Sequence, residues 1–376
     1  MAGIYIHIPF CRQACHYCDF HFSTNLKTQD EMVNAICQEI IQRSGYVSEK
    51  IETIYFGGGT PSLLSHEQLR KISETIKSTF DLSNLSEVTL EANPEDLDIK
   101  KSQELKELGI NRLSIGFQTF DNGKLNWMNR AHNSEDAEIA FQSAREAGFD
   151  NISIDLIYAL PNAKNDQWNS DLNQIFELNP DHISLYGLTI EDKTVFGKRK
   201  KEGKLVELPE DDAAEQYLHA IEALKDQGFE HYEVSNFGKP GFHSKHNNSY
   251  WSGVSYLGVG PGAHSFNGKS RQFNVRHNAR YIKATKSSNT FFEIEDLTET
   301  QRLNEQILTG LRRAQGINFE DLKAKFDVDL KTTYSQELEK FQNQDLIVLT
   351  NASIRLTTKG FLVADDIALQ LFFDFN

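Results

Sequence analysis

The chain has 376 residues, of which 39% are hydrophobic and 25% charged, a composition that fits a globular protein and excludes wholesale disorder. Its formal net charge of −15 excludes a broad basic surface for nucleic acid, and any contact with an anionic membrane is expected to be indirect. No apolar run approaches the roughly 18 residues of a membrane span, and no leader-like stretch opens the sequence, so we expect a cytoplasmic protein.

Short β-branched or aromatic runs alternate with helical patterns from Tyr5 to about Asn236. The predicted strands are Ile4–Ile8, Ile51–Phe56, Glu87–Ala92, Arg112–Phe117, Asn151–Tyr158, His182–Leu188 and Glu230–Val234. The predicted helices are Gln29–Arg43, His66–Phe80, Ser134–Ala147, Gln167–Leu178 and Asp212–Gln227. This alternation predicts an α/β fold with a parallel sheet, either a partial or full (β/α) barrel or, as the alternative, a doubly wound sheet. In a barrel, the functional residues lie at the carboxyl ends of the strands.

The pattern changes after Phe237, where a stretch rich in Gly, Ser, His and Asn begins. From Thr298 onward, three helical patterns, a hairpin around Asn351 and a closing helix near Gly360–Leu371 resemble a winged helix. The nine basic and twelve acidic residues from Glu299 onward disfavour DNA binding and favour a packing or docking module. We therefore predict a barrel over residues 1–236, a connecting region over 237–297 and a winged-helix-like domain over 298–376.

Three of the four cysteines, Cys11, Cys15 and Cys18, lie directly after the first predicted strand. In a reducing compartment such a group binds a metal or acts in catalysis more often than it forms disulfides. Three thiolates can hold a [4Fe–4S] cluster and leave one iron open to a chelating ligand. Zinc is the alternative, with His16 or a distant histidine as fourth ligand. Cys37 lies on the apolar side of a predicted helix, where we expect a buried residue and no ligand.

A glycine-rich motif, Gly57-Gly-Gly-Thr-Pro61, ends the second predicted strand. Consecutive glycines allow backbone amides and carbonyls to approach a ligand closely. The motif is neither a dinucleotide fingerprint nor a Walker loop, because the glycine spacing and the Lys-Ser/Thr pair are missing. By itself it indicates either a ligand site or a tight turn.

The C-x3-C-x2-C spacing, with Tyr17 before the last cysteine, resembles the signature of the radical S-adenosylmethionine superfamily. A narrower resemblance, to the oxygen-independent coproporphyrinogen III oxidase family, covers essentially the whole chain. It rests on segments that occur in the order of that family: Tyr5–Cys11, Phe56–Pro61, Glu91–Glu95, Gly116–Gln118, Asn129–His132 and Ser153–Leu156.

This resemblance implies a [4Fe–4S] cluster on the three cysteines, S-adenosylmethionine on the open iron and a cytosolic electron donor. The positions that match the family's S-adenosylmethionine contacts are Tyr5, Gly58, Gly59, Thr60, Glu91, Gln118, Arg130 and Asp155. By the same resemblance, Glu91 pairs with the ammonium, Arg130 with the carboxylate and Asp155 with the ribose hydroxyls. Each of these residues also has a simpler interpretation as a helix cap or turn former.

Two features separate this sequence from the oxidases of that family. Phe20 occupies the place of a fourth cysteine, and only ten residues precede Cys11, where the oxidases have a longer arm. The segment His246-Asn-Asn-Ser-Tyr250-Trp251 instead resembles the H-N-x-x-Y-W motif of the haem chaperone branch. That resemblance implies haem held near His246 with support from Tyr250 and Trp251, and haem delivery to an apo-haemoprotein such as a respiratory enzyme.

Other interpretations remain open at this point. Tyr250 and Trp251 can cover a porphyrin, but they can also anchor a long polar loop to the barrel. The axial ligand is undecided between His246 and three nearby histidines, His231, His243 and His264. Radical decarboxylation of coproporphyrinogen III is the alternative function, a zinc-stabilised structural protein is a third, and no catalytic residue is assigned.

Overall fold

The computed structural model describes residues 2–161, 165–287 and 289–374. Within them, the strands are β1 (Ala2–Ile8), β2 (Ile51–Gly58), β3 (Glu87–Ala92), β4 (Arg112–Gln118), β5 (Ile152–Tyr158), β6 (His182–Gly187), β7 (Glu230–Glu233), β8 (Asn236–Gly238), β9 (Tyr256–Val259), β10 (His264–Phe266), β11 (Ser270–Asn274), β12 (Phe292–Asp296), β13 (Ile317–Asn318), β14 (Ile347–Leu349) and β15 (Ser353–Leu356). The α-helices are α1 (Gln29–Gln42), α2 (His66–Thr79), α3 (Ile99–Glu107), α4 (Asn122–Trp127), α5 (Ser134–Glu146), α6 (Asn165–Leu178), α7 (Val195–Lys201), α8 (Glu210–Asp226), α9 (Lys245–Trp251), α10 (Asn278–Lys286), α11 (Glu299–Leu311), α12 (Phe319–Phe326), α13 (Leu330–Thr333), α14 (Ser335–Asn343), α15 (Thr358–Phe361) and α16 (Ala364–Gln370). Among these residues, no helix is both long and apolar enough to cross a membrane.

The main sheet has a parallel core in which β1 to β6 lie side by side in sequence order. This order excludes the doubly wound alternative, which requires a reversal of strand order. The two edges of the core do not pair with each other in the described part of the chain, because β9 adds to β1 and β8 adds to β6. The fold is therefore a partial (β/α) barrel, and the predicted fold class is confirmed.

The core strands and their helices form where apolar residues have the spacing that burial requires. On β1, the alternate residues Ile4, Ile6 and Ile8 share one face of the sheet and are buried in the core. Helix α2 begins with a capping box between Ser65 and Gln68 and buries a stripe of three residues at helical spacing. That stripe consists of Leu69, Ile72 and Ile76.

Cys37 lies on α1, away from the other three cysteines. Its side chain is buried in the core, and its thiol donates a hydrogen bond to the Lys71 carbonyl at 3.9 Å. The prediction that this cysteine is a packing residue is confirmed.

Residues 237–297 contribute four strands to the main sheet, although the sequence analysis predicted only a connecting region there. Strand β9 pairs in parallel with β1, and β10, β11 and β12 continue the sheet in antiparallel fashion. The predicted strand near residue 230 is β7, which is antiparallel to β8 and lies at the opposite edge. Strands β9 and β10 have only four and three residues, too few to show a clear alternation in the sequence, and β9 forms by pairing with the edge of β1.

The C-terminal part has the element order of a winged helix. Helix α11 leads into β13, then α12 to α14, then the hairpin of β14 and β15, and β15 lies between β13 and β14 in the small sheet. The predicted closing helix is in fact two short helices, α15 and α16. The exact domain boundaries given above stay a prediction.

Candidate cluster, cofactor and haem site

A cavity of about 1300 Å³ opens at the carboxyl ends of the parallel strands. Because those ends meet at one edge of the sheet, side chains far apart in sequence converge there. The cavity wall includes all the predicted cluster and S-adenosylmethionine positions: Tyr5, Cys11, Cys15, Cys18, Gly58, Gly59, Thr60, Glu91, Gln118, Arg130 and Asp155. Tyr250 and Trp251 also line it, whereas His246 does not.

The loop after β1 presents Cys11, Cys15 and Cys18 as free thiols on the cavity wall. The Thr60 hydroxyl donates to Cys11 Sγ, and Arg130 Nη1 donates to Cys15 Sγ, both at 3.5 Å. Burial raises the pKa of Cys11 to about 12 and that of Cys18 to about 11, so cluster binding must displace protons. Donors aimed at sulfur suit thiolates that carry charge once a metal is bound.

The zinc alternative finds little support in this loop. His16 Nδ1 hydrogen-bonds to the Trp127 carbonyl at 2.9 Å, and His16 is not part of the cavity wall. Within residues 2–161, 165–287 and 289–374, no three His, Cys, Asp or Glu side chains converge on one metal position. A [4Fe–4S] cluster does not need such convergence, because each thiolate binds a separate iron corner.

The glycine-rich end of β2 packs directly against β1 and the start of the cysteine loop. A Cβ atom on Gly59 would lie 2.6 Å from the Phe10 carbonyl oxygen and 2.9 Å from that of Ile8. Gly58 has a φ of 109°, and a Cβ there would lie 2.6 Å from the His7 ring. Glycine is therefore required at both positions for the backbone to approach this closely.

Two partly buried carboxylates, Glu91 on β3 and Asp155 on β5, line the cavity. Glu91 accepts hydrogen bonds from the Tyr55 hydroxyl at 2.8 Å and from the Gly58 amide at 3.1 Å. Burial raises its pKa to about 7, with Asp155 adding to the effect. Asp155 accepts from the Ser114 hydroxyl at 3.1 Å, and burial raises its pKa as well. A cationic ligand in the cavity would stabilise both charged forms.

Arg130 is fixed in place by the ends of β3 and β4. Its Nη2 donates to Asn93 Oδ1 at 2.8 Å and to the Gly116 carbonyl at 3.0 Å, while its buried Nε has no hydrogen-bond partner in the described part of the chain. Gln118, at the end of β4, has a φ of 70° beside an irregularity in the strand register. A positioned guanidinium with one unused donor can bind a carboxylate.

His246 lies behind the cavity wall and not in it. The sequence analysis placed it on a polar loop, but the structure has it on the short helix α9, fully buried. Its Nδ1 is 2.8 Å from Thr53 Oγ1, its Nε2 is 2.9 Å from the Tyr250 hydroxyl, and its ring stacks on Tyr55. Burial, with a smaller contribution from Arg112, lowers its pKa to about 3. In this arrangement its ring nitrogens are both engaged, and His246 positions Tyr250.

We expect Glu91→Gln to change how stability depends on pH. Since the folded-state pKa of about 7 exceeds the ordinary value of 4.5, the folded protein binds more protons than the unfolded chain in this window, and stability falls as pH rises through it. Relative to Glu91→Gln, the wild type should therefore lose free energy of unfolding between about pH 5 and about pH 8. Urea unfolding at both values measures this difference. Glu107→Gln, at an exposed position on α3, is the control and should follow the wild type; a Glu91→Gln variant that does the same would contradict the expectation.

Comparisons with known proteins identify the family of this chain. The family model for the Radical SAM superfamily matches residues 5–175, and that for the HemN C-terminal domain matches residues 297–363. A protein of Lactococcus lactis named heme chaperone HemW is 37% identical over 98% of this chain and 97% of its own length. The corresponding HemW protein of Bacillus subtilis is 36% identical over 98% of both chains.

This chain belongs to the HemW family. The resemblance noted from its motifs is thereby confirmed, and membership of the radical S-adenosylmethionine superfamily implies a [4Fe–4S] cluster and S-adenosylmethionine. A zebrafish protein, radical S-adenosyl methionine domain-containing protein 1, mitochondrial, is 31% identical over 99% of this chain and 88% of its own. The solved structure of coproporphyrinogen III oxidase (HemN) from Escherichia coli has a TM-score of 0.85 at 21% identity, over 99% of this chain and 90% of that chain, and shows the shared fold.

Phe20 is one cavity residue that bears on the difference between this HemW-family chain and the oxidase pattern. Its side chain is 72% exposed and lines the cavity beside Cys18. An apolar ring cannot replace a thiol as a metal ligand or hydrogen-bond donor. The side chain instead adds apolar surface to the cavity next to the cysteine loop.

The sequence analysis missed several residues that support the site. Tyr55, Asn93 and Ser114 hold Glu91, Arg130 and Asp155, respectively, through hydrogen bonds. Asn93 lies inside Glu91–Glu95, one of the segments that resemble the oxygen-independent coproporphyrinogen III oxidase family, and could have been singled out there. The far wall of the cavity, formed by β9 to β11 and α11, was also missed because its strands were not predicted. The charged cavity residues that were not predicted there are Arg271 of β11, Arg302 of α11 and Lys325 of the neighbouring α12, whereas Trp251 and His264 were already candidates.

Proposed function

We propose that this protein binds haem in the cavity and delivers it to apo-haemoproteins, with a [4Fe–4S] cluster and S-adenosylmethionine bound at the strand ends. One observation carries the proposal: the cysteine loop, the S-adenosylmethionine positions and Tyr250-Trp251 of the haem motif line a single cavity. Its volume of about 1300 Å³ exceeds that of ordinary small-molecule sites, so there is room for more than one ligand. Relatives that are named heme chaperone HemW match this chain over 98% of its length, which supports the same function.

Different residues of the cavity wall hold the cluster and S-adenosylmethionine. When bound, the reduced cluster supplies the electron that cleaves the sulfonium of S-adenosylmethionine. Cys11, Cys15 and Cys18 would each bind one corner of the cluster, and the carboxylate of Glu91 would face the amino group of the cofactor. The guanidinium of Arg130 would bind the carboxylate, and Asp155 would accept from the ribose hydroxyls.

On the haem side, Tyr250 and Trp251 supply flat surface for the porphyrin. Tyr250 packs edge-on against Tyr256, with 4.6 Å between the ring centroids, and Arg312 Cζ lies 5.7 Å from the centroid of the Trp251 ring. Each of the two rings is therefore restrained by a neighbouring side chain. His246 supports them through its hydrogen bond to the Tyr250 hydroxyl. His246 is fully buried and does not line the cavity, and direct ligation would also require one of its two ring hydrogen bonds to break, so we propose a positioning role.

We place haem loading in the cytoplasm, with a cytosolic electron donor. The free state of Cys11, Cys15, Cys18 and Cys37 fits a reducing compartment. Respiratory haemoproteins are the proposed clients, reached without insertion of this chain into the membrane.

The decisive experiment measures cluster, haem and turnover on one anaerobic preparation. We expect about four iron and four sulfide per chain, uptake of about one haem and its transfer to an apo-haemoprotein. Coproporphyrinogen III should not be consumed. Consumption that depends on S-adenosylmethionine would favour the alternative, an oxygen-independent oxidase, and colourless protein containing zinc would favour a structural role.

Variants of the haem motif test the same proposal. Trp251→Ala should weaken haem binding through lost contact area, and His246→Ala should weaken it about fivefold, as expected for loss of one hydrogen bond behind Tyr250. Haem titration followed by difference absorption measures both. His219→Ala, at an exposed position on α8, is the matched control; wild-type affinity in both motif variants would contradict a role of this motif in haem binding.

A further inference from the structure

The far wall of the cavity contains a second group of chemically reactive side chains that the cluster site does not use. In β10 and β11, His264 pairs with Phe273 and Phe266 pairs with Arg271. Because side chains alternate along a strand, these four residues share one face, while Ser265 between them points the other way and is buried against Arg43. His264, Phe266 and Arg271 all line the cavity.

His264 presents an uncommitted imidazole to the cavity. Its side chain is exposed, and its ring rests edge-on against Phe273 with 4.7 Å between centroids. Across the described ranges, neither ring nitrogen of His264 has a hydrogen bond. Burial against the wall, together with Arg276 and Arg271, lowers its pKa and so favours the neutral form that can bind iron.

The other histidines near the cavity are committed to the protein. His7 Nε2 is 2.8 Å from the His21 carbonyl, and its Nδ1 is 3.2 Å from the Tyr5 hydroxyl. His21 Nε2 is 2.8 Å from Asn278 Oδ1, which leaves only Nδ1, the nitrogen crowded by the Cβ atom of its own side chain. His246 is buried with both nitrogens engaged. Among these histidines, the imidazole of His264 is the one that a flat ligand can approach.

Helix α11 and its neighbour α12 add two cations to the same wall. The Nε atom of Arg302 is buried without a hydrogen-bond partner, and Lys325 Nζ donates to Gln306 Oε1 at 3.0 Å. Arg302 and Lys325 both line the cavity, and burial, together with the charge of Arg302, lowers the pKa of Lys325. Within residues 2–161, 165–287 and 289–374, neither is in an ion pair with a carboxylate. Adjacent cations without a counter-ion form a site for an anionic ligand.

An ion pair joins the strand face that contains His264 to helix α11, which contains Arg302. Arg271, which is opposite Phe266 on β11, pairs with Glu305 of α11 at 2.9 Å. Glu305 lies one helical turn from Arg302. The strand face with His264 and the helix with Arg302 are thus fixed as two walls of one space.

Building on the proposed function, we infer that haem binds in this space with His264 as its axial ligand and with its propionates at Arg302 and Lys325. The macrocycle lies against Phe266 and Trp251, which line the same cavity. The assignment gives the C-terminal unit a direct part in holding haem, through its two cations.

The test for the iron ligand is spectroscopic, on full-length protein that carries its cluster. We expect His264→Gly to change the difference absorption and the electron paramagnetic resonance spectrum of bound ferric haem, and added imidazole to restore both. His219→Gly, at an exposed position outside the cavity, should leave the spectra unchanged. Wild-type spectra in His264→Gly would overturn the assignment of this ligand. Because rescue by imidazole requires a folded site, it separates loss of the ligand from misfolding.

The test for the propionate site compares haem with haem dimethyl ester, which lacks the two carboxylates. The double variant Arg302→Gln/Lys325→Gln should bind haem about tenfold or more weakly and should bind the ester as the wild type does. Lys323→Gln, at an exposed position on α12 outside the cavity wall, is the control. Equal loss for haem and ester, or no loss for either, would overturn the assignment. Failure of the wild type to bind haem at all would instead refute the proposed function, and with it this inference.

Discussion

Serine in place of Cys11, Cys15 and Cys18 together should reduce the iron and sulfide content of anaerobically prepared protein roughly tenfold or more, because hydroxyls do not replace thiolates as cluster ligands. The visible absorption of the cluster should disappear with them. Each single replacement should also lower iron loading, since a cluster held at two corners is exposed to loss. Iron and sulfide analysis and the absorption spectrum measure the effect.

Cys37→Ser is the matched control for this experiment. Cys37 lies on α1 and is buried in the core, where its thiol donates a hydrogen bond to the Lys71 carbonyl. We expect full iron loading in this variant, with at most a small loss of stability. Wild-type iron content in the triple variant would refute the cluster assignment and, with it, the radical S-adenosylmethionine site.

Adding a single methyl group at position 59 should strongly destabilise the fold and also lower iron loading. In Gly59→Ala, the added Cβ would meet the Phe10 carbonyl oxygen at 2.6 Å and the Phe10 amide nitrogen at 2.9 Å. Both are backbone atoms, so the collision is relieved only if β2 separates from the start of the cysteine loop. We expect a loss of about 3 kcal/mol or more in the free energy of unfolding, together with reduced iron loading.

Gly45→Ala provides the comparison, because no atom lies within 4 Å of the Cβ position there. Its stability should stay close to that of the wild type or rise slightly. Urea unfolding of both variants, with iron analysis of the same samples, measures the difference. Equal stability of the two variants would show that the close approach of β2 to the cysteine loop is not needed.

The two predictions concern one physical arrangement. Thr60, the residue after Gly59, donates to Cys11 Sγ. The glycine-rich end of β2 therefore packs against the cysteine loop and also orients it. Arg130, which follows α4, reaches the same loop by donating to Cys15 Sγ. Thr60 and Arg130 therefore fix the thiols from two sides before any ligand binds, which reduces the ordering cost of cluster binding.

The main elements of the barrel could be predicted because their patterns are strong. Predicted and observed strands agree within about two residues for β1 to β6, where β-branched runs meet turn signals. Helices α3, α4 and α7 were not predicted. They are nine residues or fewer and bury few side chains, so their sequences show little helical periodicity.

The strand-end residues could also be predicted, since a parallel barrel brings such positions to one edge whatever the details of packing. The burial of His246 could not be predicted from the sequence. Its polar neighbours indicated a loop, but Glu87 accepts hydrogen bonds from the Lys245 and His246 amides and thereby holds the start of α9 against the sheet. A local pattern cannot reveal a partner that lies more than 150 residues away.

By itself, the sequence determined the fold class, the cysteine loop and the family, because short-range spacing encodes strands, helices and motifs. Tertiary structure alone decided which imidazole faces the cavity. His246 and His264 are both polar, near each other in sequence and close to aromatic residues. One packs behind Tyr250 and the other stands on the open face of β10, because pairing of β9 with the edge of β1 turns the following strands toward the cavity.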